Sequence, residues 1–325
     1  EHGSKIYHKA LEAGESPQVY VDRYAAKFKD LVQVLNLSEV NFIRTTDPHH
    51  QEAVLEFWRR ALANDFIEKK TYHTKYCVGC ELAKTDSELV AGHCPDHPTS
   101  EIEFLEEENY FFKFSKFQTY LADLYKDQPN FVIPATRLRE VKSFVAGVLQ
   151  DFSISRLKSK MPWGIPVPGD SEQVIYVWFD ALVNYLSVLG WPKDQASFEA
   201  WWPVIQFCGK DNLRQQSAMW QAMLSAVGLP PSKHIIVNGF ITSAGQKMSK
   251  SLGNVDDPTV LVADWGVDVL RYFILRELVP FEDGDFTLER FKTAYNSELA
   301  NGLGNLTSRI IKMAETYEVK IKPAD

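Results

Sequence analysis

The 325-residue chain has no apolar run approaching the roughly 18–20 residues of a membrane-crossing helix. Its start does not have the layout of a secretory signal. These absences exclude a membrane-spanning protein and point to the cytoplasm. Cysteine is scarce, with four in all, and three of them cluster with a histidine, which favours metal over disulfides. Positive charge is not in excess: 35 Lys and Arg face 43 Asp and Glu, for a formal charge of −8. That argues against a generic basic nucleic-acid binder but leaves room for a local basic surface. No methionine opens the chain, and Glu1-His2-Gly3-Ser4-Lys5-Ile6 reads as the exit from a strand. Both ends are therefore expected to be truncations.

What is present supports real cores. Hydrophobic residues make up 45% and aromatics 13%, and the length calls for two or three domains. One stretch does not look like core: Gly245-Gln246-Lys247-Met248-Ser249-Lys250-Ser251-Leu252-Gly253-Asn254. Its glycines permit unusual backbone angles. Lys247 and Lys250 are point charges on flexible stems, suited to phosphate oxygens. Such a loop can close over a nucleoside triphosphate and stabilise charge on departing pyrophosphate. The plainer alternative is a solvated Lys/Ser loop.

In chain order, residues 7–36 read as helices broken at Gly14 and Pro17, with a stripe of Leu11, Val19, Tyr20, Phe28, Leu31 and Val32. Asn41-Phe42-Ile43 reads as a short strand. Asp47 and Pro48 read as the cap and first position of a helix over 49–64, with Val54, Leu55, Phe57, Trp58 and Leu62 inside. Strand and helix in alternation predict an α/β fold with a parallel sheet. Residues 67–172 read as turn-rich. Within them Cys77-x2-Cys80 and Cys94-x2-His97 form two knuckles, the donor set of a closed, structural zinc site, with His93 a poorer candidate ligand. The alternative is unpaired cysteines beside a surface histidine. Glu106-Glu107-Glu108 reads as an acidic turn before an aromatic strand and a helix. Residues 163–170 read as a rigid extended connection.

Val174 to Asp180 is a continuous β-type run, predicted as a strand buried on both faces, with Ala181, Leu182 and Tyr185 opening the next helix. Trp178 and Tyr185 are either core or the wall of an apolar pocket. Val204 to Cys208 reads as a strand ending in Gly209-Lys210-Asp211, with Cys208 in the core. There Asp211 either holds ribose hydroxyls or caps a helix. A further strand ends near Val237. Helices follow over 259–278 and 287–317, the last with a stripe of Leu299, Leu303, Leu306, Ile310 and Met313. Asn305 and Arg309, four apart, share another face, by default a solvated one.

The run Lys-Met-Ser-Lys-Ser-Leu-Gly-Asn resembles the KMSKS signature of class I aminoacyl-tRNA synthetases. Three further stretches carry the resemblance to the methionyl branch of that family across the chain. They are the segment after the knuckles, Asp151-Phe152-Ser153-Ile154-Ser155-Arg156 with Trp163-Gly164-Ile165-Pro166, and Trp178-Phe179-Asp180-Ala181-Leu182. The resemblance implies a class I Rossmann-type parallel sheet with an inserted zinc-binding connective domain and the start of a C-terminal helix bundle. The segments would be 1–66 and 173–240 for the catalytic domain, 67–172 for the insertion, 241–297 for the KMSKS loop and stem-contact region, and 298–325 for the bundle.

By the same resemblance the chain takes L-methionine, ATP with Mg²⁺ and tRNA(Met), and holds one structural Zn²⁺. Lys247 and Lys250 would hold the departing phosphates, Gly209 and Asp211 the ribose, and the backbone near Val237 the adenine. Trp178, Ala181, Leu182, Tyr185 and Gln216 would shape the methionine pocket, and Asn305 and Arg309 would meet the anticodon. Two departures stand out: Gln206 and Gln216 occupy positions where the family has His. The family's His-Ile-Gly-His signature is absent. The expectation is that the isolated chain is inactive and that the missing front segment comes from the same gene or another chain. The competing readings are a class I synthetase for Ile, Val or Leu, and a non-catalytic tRNA- or methionine-binding relative. The intact lysine loop and the Ala181-Leu182 pair argue against them.

Overall fold

A computed structural model describes residues 1–80, 82–84, 88–248 and 256–319, without the side chains of 72–74, 82–83, 105–107 and 247. The described chain divides into two compact units, Glu1–Asp30 with Glu39–Val237, and Leu31–Ser38 with Asn238–Asp325.

The core of the first unit is built around the helix Pro48–Ala63. Pro48 sits in its first turn, where its missing N–H costs nothing, after Asp47 in extended backbone. Asp47 is the capping residue, as expected, but its carboxylate accepts from Arg44 N (3.0 Å) instead of bonding to the helix's own amides. His50, Ala53, Val54, Phe57, Trp58 and Ala61 recur at helical spacing and are all buried. Phe57 lies 5.6 Å from the Phe179 and Trp220 rings and 6.0 Å from Trp191. Trp58 lies 5.3 Å from Phe179 and from Tyr110. The expected parallel pairing is present: Val132–Ile133 runs parallel to His234–Asn238, with Ile205–Gly209 on the far side of the latter. Ile205–Gly209 alternates: Gln206 and Cys208 point into the core, while Ile205 and Phe207 are exposed.

A long antiparallel hairpin rises from this core. Ile67–Cys77 pairs with Ile102–Phe112 in unbroken register from Ile67↔Phe112 to Cys77↔Ile102. The expected acidic turn at Glu106–Glu108 is instead the middle of a strand. The turn-rich reading missed it because three successive glutamates carry no apolar alternation that would mark a strand. Four other expectations fail. Leu62, expected inside the helix Pro48–Ala63, is 44% exposed. Asn41-Phe42-Ile43 is irregular and pairs with no strand among the described residues. Val174 to Asp180 is not one strand: Asp170–Ile175 pairs antiparallel with Ser155–Leu157 and Pro166–Val167, and the chain then turns into the helix Val177–Leu182. Tertiary contacts of Asp180, described below, override its neighbours' β propensity. In the helices Ser4–Glu12 and Pro17–Val34 the buried residues are Ala10, Val21 and Ala25, while Leu11, Val19 and Phe28 are exposed. The turn at Gly14 resets the helical phase, so one stripe cannot span both helices.

The second unit buries Leu261, Leu270, Phe273, Leu278, Phe286, Phe291 and Ala294. Its helices Pro258–Trp265 and Val267–Glu277 meet at Gly266, whose φ of +88° suits glycine alone. Leu288–Ala294 continues through a π-helical stretch, Tyr295–Gly304, into Asn305–Thr316. The predicted stripe there is helical, yet Leu303, Leu306, Ile310 and Met313 are each 55–61% exposed. No helix among the described residues is long and apolar enough to cross a membrane.

Truncating Phe57 to Ala should lower stability by about 3–5 kcal/mol, because its cavity is walled by three aromatic rings that cannot collapse. Phe28→Ala, at an exposed site, should stay within about 0.5 kcal/mol of the parent. Denaturant unfolding with unchanged m-values checks the pair, and equal losses would contradict this account of the core.

Candidate functional site

The root of the lysine loop is a tight hairpin. Ile241–Ser243 and Gln246–Lys247 pair in the register Thr242↔Lys247, and the turn residues Ala244 and Gly245 have φ of +52° and +73°. Asp285 fastens this turn, accepting from Gly245 N (2.8 Å) and Thr242 Oγ1 (2.9 Å), and these bonds hold its carboxyl below the usual range. At Gly239 a Cβ would lie 2.0 Å from the Glu282 carbonyl oxygen, so only glycine permits this backbone crossing. Lys250, within residues 249–255, lies outside the described residues, as does the side chain of Lys247.

In the first unit, Gly209 ends its strand in extended backbone and caps the short 3₁₀ turn Lys210–Asn212. Asp211 is exposed within that turn and does not occupy a capping position there. The alternative of a helix-capping aspartate is therefore not what the geometry holds. Val237 is fully buried near the end of the adjacent strand.

The segment Val177–Leu182 with Asn184–Ser187 carries Trp178, Ala181, Leu182 and Tyr185. Trp178 and Tyr185 are seven apart and share a face; both are half-buried against the main core. The Tyr185 hydroxyl accepts from Gln216 Nε2 at 3.0 Å. Gln216 lies in a π-helical turn, Gln215–Met219, a geometry common at functional sites. Behind it runs a buried amide–hydroxyl chain. Gln221 Nε2 donates to Gln216 O (2.8 Å) and Ser232 Oγ (3.2 Å), and the Ser232 hydroxyl donates to Gln206 Oε1 (2.7 Å). This chain links the Gln216 backbone carbonyl to the Gln206 side chain. Trp178 Nε1 and Gln216 Oε1 are buried and lack a hydrogen-bond partner among the described residues. Such orphans cost about 1–3 kcal/mol each, and pockets that receive polar ligand atoms keep them.

Sequence reasoning did not find the other side of this segment. Asp180 is fully buried. Its Oδ2 lies 2.6 Å from His2 Nδ1 and its Oδ1 2.7 Å from His50 Nε2. His50 Nδ1 in turn meets Ser187 Oγ at 2.9 Å. Burial alone would raise the Asp180 carboxyl, but hydrogen bonds from His2 and His50, with their charge, hold it below the usual aspartate range. Residues 2, 50, 180 and 187 are too far apart in sequence for any motif to join them. Also unforeseen is a cavity of about 300 Å³ whose lining includes His2, Tyr76, Arg156, Lys160 and Tyr176. The Arg156 guanidinium sits 4.0 Å from the centroid of the Tyr176 ring and donates to Ser153 Oγ (2.8 Å) and Ser155 O (2.7 Å).

The cysteine knuckles converge. The donor atoms of Cys77, Cys80, Cys94 and His97 lie within 4.8 Å of one another, with Cys80 Sγ and Cys94 Sγ 3.6 Å apart. A two-residue hairpin turn at Ala91-Gly92, with Val90 and His93 exchanging backbone bonds of 2.9 and 3.0 Å, brings Cys94 back to the cluster. A Cβ on Gly79 would lie 2.4 Å from the His97 ring, so glycine is required beneath it. The cluster fits one metal ion with no open position. Asn305 and Arg309 lie exposed on the helix Asn305–Thr316, and Asn305 Nδ2 donates back to Asn301 O at 2.9 Å.

The sequence matches the family described as tRNA synthetases class I (M) over residues 1–103 and 97–311. The methionine–tRNA ligase of Thermosynechococcus vestitus is 46% identical over 323 residues, 98% of this chain and 61% of the relative. That of Thermotoga maritima is 41% identical over 322 residues, 98% of this chain and 51% of the relative. The structure of Mycobacterium tuberculosis methionyl-tRNA synthetase bound by methionyl-adenylate is similar with a TM-score of 0.91 at 39% identity. That match covers 97% of this chain and 63% of the other. The chain thus spans between half and two thirds of the length of these proteins.

Asp180 has a pH signature. In the unfolded chain it titrates near about 3.9 and in the folded chain lower, so its stabilisation is complete above about pH 4 and is lost as pH falls through the folded value. In urea unfolding of the parent and Asp180→Asn across acid pH, the stability gap between them should narrow as pH falls below about 4. A gap that does not narrow contradicts this assignment.

Proposed function

This chain belongs to the class I tRNA synthetases of the (M) group, and on that footing we propose that it is the catalytic part of a ligase joining methionine to tRNA(Met). The methionine carboxylate attacks the α-phosphorus of ATP, and the bond to the bridging oxygen breaks. Pyrophosphate leaves, with methionyl-adenylate formed. A ribose hydroxyl of the terminal tRNA adenosine then attacks the methionyl carbonyl, and AMP departs. No covalent enzyme intermediate is needed, so the protein supplies position and charge.

The observation that carries this reading is the bond from Gln216 Nε2 to the Tyr185 hydroxyl on the face shared with Trp178, where Trp178 Nε1 and Gln216 Oε1 are among the buried polar atoms without a partner among the described residues. They lie in a fold like that of a synthetase solved with methionyl-adenylate. Trp178, Ala181, Leu182 and Tyr185 give a thioether an apolar and aromatic wall. Gln216 adds a neutral donor and acceptor where a histidine would bring a titratable charge. Gly209 and Asp211 hold the ribose, the backbone at Val237 the adenine, and Lys247 and Lys250 the departing phosphates. Mg²⁺ accompanies ATP and offsets its charge. Asn305 and Arg309 meet the anticodon, and the enzyme works in the cytoplasm.

The metal is zinc. Zn–S bonds of about 2.3 Å in a tetrahedron put two sulfurs about 3.8 Å apart, close to the 3.6 Å between Cys80 and Cys94. Cys77, Cys80, Cys94 and His97 hold it, and its work is to fold the tip of the hairpin.

Amino-acid-dependent ATP–pyrophosphate exchange by the complete gene product should occur with methionine and not with Ile, Leu or Val. Lys250→Ala should slow exchange by about 10²–10³-fold, the scale of a lost transition-state contact. Exchange with another amino acid would overturn the pocket assignment. Elemental analysis should find one zinc per chain, and Cys94→Ser should lower that stoichiometry. Full zinc content in that variant would contradict the ligand set.

A further inference from the structure

At 100° per residue, Asp180 and Ser187 lie about 200° around the helical segment from Trp178 and Tyr185. One face of the segment carries the amino-acid pocket proposed above, and the opposite face carries two buried polar anchors. His50 reaches both anchors at once, Asp180 through Nε2 (2.7 Å) and Ser187 through Nδ1 (2.9 Å), so it staples two turns of this segment from behind. His2 supplies the second bond to Asp180. The two histidines are themselves fixed. His50 sits in the first turn of Pro48–Ala63 and is fully buried. His2 lies 5.1 Å from the Trp163 ring, and Trp163 Nε1 donates to Glu1 O at 3.0 Å. The Glu1 carboxylate is bound by Arg44 Nε (2.8 Å) and Thr46 Oγ1 (2.6 Å).

The segment needs such a device. Val177–Leu182 and Asn184–Ser187 are short helical pieces, six and four residues long, joined at Val183. Helices this short have little stability of their own. A pocket wall carried on them keeps its position only if side chains on the other face hold it.

Resting on the methionine-activating reading, we propose that Asp180 and His50 are positioning residues for amino-acid binding: the His2–Asp180–His50–Ser187 cluster sets the register of the pocket wall without touching the substrate. The ATP groups, Gly209 and Asp211, lie on a different element. Loss of the staple should therefore weaken methionine binding selectively.

Exchange kinetics of the complete gene product, with methionine and ATP varied separately, test this. His50→Leu removes both bonds. It should raise the methionine KM about tenfold to a hundredfold, the effect of displacing a binding group by about an ångström, with the ATP KM within about twofold of the parent. His50→Gln keeps a donor toward Asp180 and should recover most of that loss. Ser187→Ala removes only the outer bond and should give a smaller rise of the same kind, which serves if the leucine variant does not fold. Thermal unfolding measured alongside separates folding from binding. An unchanged methionine KM in folded His50→Leu overturns the proposal, and so do parallel losses in both KM values or a Gln variant no better than Leu. No methionine-dependent exchange by the parent would instead defeat the functional reading itself, and the staple as a methionine device with it.

Discussion

A carboxylate sealed from water stays ionised only where hydrogen-bond donors replace its hydration shell. Asp180 has two, from His2 and His50, and neither is near it in sequence. That requirement ties the start of the chain, the central helix Pro48–Ala63 and the segment Val177–Leu182 into one arrangement. Moving any of the three would strand a buried charge, a far larger penalty than slack apolar packing incurs. Phe57 and Trp58 pack on Phe179, the residue before Asp180. The ion cluster supplies the direction in which they must lock.

The same segment shows two treatments of buried polarity. On its back face Asp180 and Ser187 both have partners. On its front, Trp178 Nε1 and Gln216 Oε1 have none among the described residues, although Gln216 is held by Tyr185 and by the chain through Gln221, Ser232 and Gln206. The scaffold fixes the geometry, and the open atoms are those a ligand can complete.

How much could be read from sequence depended on how local each feature was. The metal cluster was legible because a Cys-x2 knuckle needs only four adjacent residues. The helix over Pro48–Ala63 was legible because its buried side repeats at helical period over sixteen residues. The run from Val174 misled because a short apolar stretch has no period of its own, and the distant histidines decided its turn into helix. The hairpin strands misled because their charged run Glu106-Glu107-Glu108 carries no apolar alternation in sequence. The Asp180 cluster left no trace in any window, since four single residues spread over 186 positions make no pattern. The glutamines at 206 and 216 were visible as departures, but the Gln221–Ser232 link that runs between them was not.

The hairpin from Ile67 to Phe112 has a root in the aromatic core and a tip in the cysteine–histidine cluster, with eleven residues in each arm. Sliding one arm by a single residue would turn every side chain to the opposite face, moving Ile67 out of the core and Cys77 away from its partners. A ribbon clamped at both ends therefore has a quantised length. It can lengthen only by matched insertions in both arms, in steps that restore the same facing. The distance from core to metal cluster, about 35 Å at strand rise, is thus among the least adjustable dimensions of the first unit.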